Sequence, residues 1–65
     1  MKIIKDFGNF CYSDEMLDGT KLVGGFAVYA WNANVDWEYL TSFAVESQAA
    51  SYAKSRQQSY ERWMQ

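Results

Sequence analysis

An α+β domain is the fold class this chain predicts: a three-stranded antiparallel β-meander followed by one C-terminal α-helix packed on one face. Three observations predict it. Up to Ala44 the chain is rich in β-branched and aromatic residues, cut at intervals by turn signals. From Val45 to Met64 there is no glycine or proline, and apolar residues recur at Val45, Ala49, Tyr52, Ala53, Tyr60, Trp63 and Met64, which is a helical spacing. The connections between strands are short, so sequential strands pair antiparallel and the helix lies across the sheet. All 65 residues belong to one small domain.

The elements follow in order. KIIKDFGNFCYS (2–13) reads as a strand that bends or bulges near Gly8. DEMLDGTK (14–21) is an acidic turn, and its Asp18-Gly19 pair is a hairpin signal. LVGGFAVYAWN (22–32) is the longest strand, weakened at its start by Gly24 and Gly25. ANVD (33–36) is a second turn in which Asn34 suits a left-handed conformation. WEYLTSFA (37–44) is a third strand of good strand formers. The helix then carries Glu46 in its first turn and Arg62 in its last, both favourable to the helix dipole. Its N-cap is poor, with Ser42 or Ser47 as candidates.

Chains this short bury little of their surface, so they depend on staples or on efficient packing. One cysteine, Cys11, allows no internal disulfide, and with no histidine the chain lacks the Cys/His set of a structural zinc site. Packing must then stabilise the fold, and an aromatic content of 18% suits that task. A lone cysteine points to a reducing compartment. The N-terminal MKIIKDFGNF does not read as a signal peptide, because Asp6 interrupts any apolar run. No stretch is long and apolar enough to read as a membrane-spanning helix. The expectation is a cytoplasmic protein without a membrane partner.

The second hairpin poses the main question. Pairing Trp31 with Trp37 and Tyr29 with Tyr39 puts Ala27, Tyr29, Trp31, Trp37, Tyr39, Thr41 and Phe43 on one face. Phe26, Val28, Ala30, Glu38, Leu40, Ser42 and Ala44 then share the other. One helix covers one face. If it covers the aromatic face, small Ala49 and Ala53 meet large rings and the aromatics are core. If it covers the Phe26, Val28 and Leu40 face, the aromatics form an open platform for bases or proteins. A bulge in either strand rotates the faces by one residue. On either reading Trp31 and Trp37, beside the loop, stay partly exposed.

Enzymatic chemistry finds little support. Histidine-based acid–base catalysis has no residue to use. Cys11 sits in an apolar FCY strand without an activating base and reads as buried. The pairs Asp14/Glu15 and Asp36/Glu38 read as lying on turns, where carboxylates are solvated. Gly24-Gly25 lacks the phosphate-loop pattern, and Asp14 to Asp18 lacks EF-hand spacing. The expectation is a protein that is not an enzyme and needs no cofactor or metal.

Charge is distributed unevenly. The net charge is −2, but from Asp6 to Glu46 seven acids face one base, Lys21, while the two ends are basic. That asymmetry points to an electrostatic partner. Asp14, Glu15, Asp18, Asp36, Glu38 and Glu46 are candidate partner-binding carboxylates, with Trp31 and Trp37 as aromatic anchors beside them. Their partner would be a basic nucleic-acid-binding protein, with no nucleic acid bound directly, and the chain itself a monomer.

Two resemblances bear on function. WEYLTSFAVESQAASYAKSR, an aromatic strand followed by an alanine-bearing helix, resembles the arm-binding domains of phage integrases. That resemblance implies a small DNA-binding accessory protein, using the basic helix residues Lys54, Arg56 and Arg62. The strands here are acidic, however, whereas phosphate contacts need Lys and Arg. Across its whole length, in size, acidity, absence of enzyme motifs and element order, the chain is similar to the small phage-encoded anti-CRISPR proteins that inhibit type I surveillance complexes, the type I-C group among them. This second resemblance implies an inhibitor acting in the host bacterial cell. It would occupy the large subunit that reads the protospacer-adjacent motif, through DNA mimicry or steric occlusion. A non-catalytic protein-interaction module is the remaining reading.

Overall fold

The computed structural model describes residues 1–64. It is an antiparallel sheet with one C-terminal helix, an α+β fold as the sequence predicts. The strands are β1 (Lys5–Asp6), β2 (Phe10–Ser13), β3 (Phe26–Asn32) and β4 (Asp36–Phe43), adjacent in space in that order, followed by helix α1 (Glu46–Met64). There are four strands rather than three. The segment expected to form one bent strand folds back on itself at Gly8, whose φ of 123° is open to glycine and strained for other residues. Asp6 accepts a hydrogen bond from the Gly8 N–H, and the Phe7 N–H donates to the Phe10 carbonyl, so β1 and β2 form a tight hairpin.

The predicted pairing of the longest hairpin is present. Trp31 lies opposite Trp37 and Tyr29 opposite Tyr39. Beyond Tyr29 the register slips, because Val28 pairs with Thr41 and Leu40 is left as the extra residue of a β-bulge. As a result Phe43, which simple alternation assigns to the aromatic face, packs with Phe26 and Val28 on the opposite one. The connecting turn also departs from expectation. Asp36, not Asn34, takes the left-handed conformation, with φ of 67°. The Asn32 side chain accepts from the Asn34 N–H and the Asn32 carbonyl accepts from the Val35 N–H. These bonds shape a turn over 32–35 and shift the left-handed residue to Asp36, the arrangement common in three-residue hairpin loops. Residues 22–25 likewise lie before β3 and not within it.

Helix α1 starts at Glu46, and neither serine proposed as cap performs that role. The Val45 carbonyl accepts the opening bonds from Gln48 and Ala49, and residues 44–48 are exposed, so water reaches the first amides. The helix crosses the Phe26, Val28 and Leu40 face. Ala49 and Ala53 are fully buried against Phe10, Tyr12 and Val28, with Phe7, Phe26, Leu40, Phe43 and Tyr52 closing the margin. Gln57 is the last buried helix residue. Its Oε1 accepts from the Asn9 N–H at 2.7 Å and its Nε2 donates to Glu61 at 2.9 Å. That amide latches the helix onto the β1–β2 turn.

A second small core lies on the other side of the sheet. Cys11, Ala27 and Tyr29 are fully buried there, packed by Met1, Ile3, Leu22 and Trp37. The chain before β1 forms the cover. The Ser13 hydroxyl donates to the Lys2 carbonyl, the Lys2 N–H donates to Glu15, and the Ile4 N–H donates to the Tyr12 carbonyl. The sheet is therefore covered by the helix on one face and, around Cys11, Ala27 and Tyr29, by an irregular strap and loop on the other.

Candidate functional site

The aromatic side of the hairpin is graded along its length. Tyr29 is core: its ring is inaccessible and its hydroxyl donates to the Glu15 carbonyl at 2.8 Å. Burial pushes its ionisation up from the usual tyrosine range. Tyr39, opposite, meets it edge-on at 6.0 Å and is 45% exposed. Trp31 and Trp37 pack edge-on at 5.4 Å between centroids, with Trp37 half-buried and Trp31 47% exposed. The limited reach of the strap accounts for the gradient. Met1 and Ile3 cover the rings next to β2, and nothing among the described residues covers those at the open end.

Beside Trp37 lies a shallow hollow of about 330 Å³, lined by Met1, Ile3, Leu17, Val35, Asp36 and Trp37. It joins two loops distant in sequence. The 14–21 loop folds over this side: Met16 and Thr20 close it through a backbone bond, Glu15 and Lys21 form an isolated antiparallel β-bridge through their backbones, and Leu22 packs into the second core. Leu17 and Val35 project from the two loop tips with 50% and 59% of their surface exposed. The result is an apolar patch with carboxylates around it.

Those carboxylates are not equivalent. Asp14 is paired with Lys21 at 2.7 Å, which holds its carboxyl below the usual range and raises the lysine. Glu15 is half-buried and accepts the Lys2 N–H at 2.9 Å. Asp18 is exposed and accepts the Thr20 N–H, which lowers its carboxyl. Asp36 is exposed on the hollow itself. The structure thus brings Asp36, Trp37 and Trp31 together at the hollow and ties Glu15 to the strap on the same side, while Asp14 and Asp18 are held by partners within the 14–21 loop.

Glu38 and Glu46 lie apart from them. Glu38 pairs with Ala30, whose side chain packs toward the helix, so it belongs to the opposite face. Glu46 opens the helix and accepts from the Tyr12 hydroxyl at 2.9 Å. Tyr12 is in turn pushed up, first by burial and then by that bond. Glu46 therefore ties the helix start to β2.

Five residues of this side fall outside the sequence-predicted set: Met1 and Ile3 of the strap, Leu17, Val35 and Tyr39. Leu17 and Val35 carry a signal, since each is a large aliphatic residue at the tip of a polar turn, DEMLDG and NANVDW, where nothing local demands one. Cys11 is buried in the sheet and its thiol is pushed up to about 12 by burial and by Asp6, which leaves it a poor nucleophile. Compared with known proteins, the chain matches no family model, no curated protein and no solved structure.

Proposed function

We propose that this protein is a non-catalytic inhibitor that docks its aromatic, acidic side onto a basic nucleic-acid-binding protein. The observation that carries the reading is the hollow at Trp37, where exposed Leu17 and Val35 stand beside the Asp36 carboxylate, with exposed Asp18 next to Leu17 in the chain. Aromatic and aliphatic groups in a depression supply the energy of a protein interface. Carboxylates at the rim steer a basic partner and fix its register. Trp31 and Tyr39 extend the contact along the hairpin. Within this class, the target is the large subunit of a type I CRISPR surveillance complex, as the resemblance in size, charge and element order implies, and the site of action is the cytoplasm of the host bacterium. Asp14 is already neutralised by Lys21, and Glu38 and Glu46 lie elsewhere. The docking set therefore narrows to Glu15, Asp18, Asp36, Trp31 and Trp37, with Tyr39, Leu17 and Val35 added. Half the sequence-predicted acids engage, which favours steric occlusion over extended DNA mimicry.

The test is a pull-down from cells expressing type I complexes, run at low and high salt. Recovery of the complex that weakens with salt, and that is lost in an Asp18→Asn/Asp36→Asn variant and in Trp31→Ala, supports the reading. Full recovery with both variants, or capture of duplex DNA in place of protein, overturns it.

A further inference from the structure

On the helix side, an open groove of about 580 Å³ runs between the β1–β2 hairpin and the first half of α1. Phe7 and Tyr12 form its aromatic wall, Ser47 and Ser51 line the helical wall, and Lys5 and Lys54 stand at its margins. Its existence follows from residue size. At Ser47, Ala50 and Ser51 the helix presents only small side chains toward the hairpin, so the helix leaves the space beside Phe7 unfilled. Strand alternation explains the charge: Lys5 pairs with Tyr12 and faces the groove, while Asp6 pairs with Cys11 and faces away. Lys5 lies 5.4 Å from the Phe7 ring centroid. Among the described residues the one ion pair joins Lys21 to Asp14, so Lys5 and Lys54 bring uncompensated charge to the groove. Glu46, the nearest acid on the helix, is engaged by the Tyr12 hydroxyl.

We infer that this groove binds a nucleotide: a phosphate held between Lys5 and Lys54, with the planar base against the half-buried Phe7 ring, over the edge of the buried Tyr12. Its volume lies in the range of small-ligand sites, roughly 300–1,000 Å³. An open groove leaves one side of its occupant in water, which suits the polar edges of a base and a ribose and disfavours an alkyl chain. Lysine and aromatic side chains together are the recurring equipment for sequence-tolerant nucleotide binding. The site is separate from the acidic side, from which the sheet divides it, and does not depend on the function proposed above.

Amide chemical shifts of the full chain, titrated with adenosine monophosphate, adenosine, inorganic phosphate and a short single-stranded oligoadenylate, test the assignment. The nucleotide is expected to shift amides of Lys5–Phe7 and Ser47–Lys54 saturably, and adenosine or phosphate alone far less. Lys5→Gln and Lys54→Gln should each weaken binding about fivefold, as expected for a solvent-exposed charge contact, and Ser51→Leu should block it by filling the groove, all with unchanged amide dispersion. Arg62→Gln and Asp18→Asn should leave it intact. Tighter binding of the oligonucleotide at the same amides identifies a strand as the natural source, and equal or weaker binding identifies the free nucleotide. Absence of saturable shifts at millimolar nucleotide, shifts outside the groove, or an equal response to phosphate alone overturns the assignment.

Discussion

Asp36 combines two properties that a substitution can separate. Its backbone is left-handed, and its carboxylate stands at the hollow beside Trp37. Asparagine tolerates the same backbone and removes the charge. Asp36→Asn is therefore expected to hold stability within about 0.5 kcal/mol, the usual range for a surface change, while weakening partner binding. Asp36→Ala should cost about 1 kcal/mol, since alanine gains nothing local to offset the left-handed strain. Urea unfolding of both variants beside the pull-down checks this. A loss of stability in Asp36→Asn equal to that in Asp36→Ala would mean that the carboxylate, not the backbone, shapes the turn.

At the scale of elements, the helix approaches the sheet closely because Ala49 and Ala53 are small and fully buried. Enlarging one of them cannot be absorbed by solvent. Ala53→Leu is expected to cost about 1–3 kcal/mol through overpacking, read as a lowered urea midpoint, whereas the same change at exposed Ser55 should be near neutral. This closeness is legible in the sequence as small residues at helical spacing. So are the helix, the hairpin and the Trp31–Trp37 and Tyr29–Tyr39 pairs, because periodicity and turn chemistry are local. The face the helix covers is not legible. That outcome depends on Met1 and Ile3 of the strap packing on the Tyr29 side of the sheet, an arrangement between distant parts of the chain that no local pattern encodes. The candidate site divides in the same way. Its acids and tryptophans are readable as residue types, but the meeting of Leu17 with Val35 and Asp36 is a product of tertiary folding.

For the whole molecule, two thin cores share one sheet, and the extents of 38 × 27 × 15 Å leave little depth on either side. Cys11 reports on the strap core. Its thiol, at about 12 in the fold against 9.0 ordinarily, binds its proton more tightly when folded. The unfolded chain therefore loses that proton first as pH rises, and stability falls between about pH 9 and pH 12. Tyr12 and Tyr29 shift in the same direction and add to the loss at higher pH. A urea midpoint that declines above pH 9, and declines less in Cys11→Ala, is the expected result. At neutral pH the thiol should resist alkylation in the native protein and react once Ile3→Ser loosens the strap.

The bulge at Leu40 gives β4 slack, one residue more than its pairing with β3 needs. Side chains in a strand alternate two by two, so a strand without slack that loses a residue turns everything beyond the gap to the wrong face. Here the first loss can be absorbed. With Thr41 deleted, Leu40 can take the place opposite Val28 and keep its side chain toward the helix, while Ser42 and Phe43 hold their present partners. That shortened chain is expected to keep a cooperative urea transition. Deleting Ser42 as well exhausts the slack and forces Phe43 either off Phe26 or onto the other face, and the transition should then be lost. A segment that looks like an irregularity is therefore, among the described residues, the stretch of the sheet where the length of the chain is free to vary.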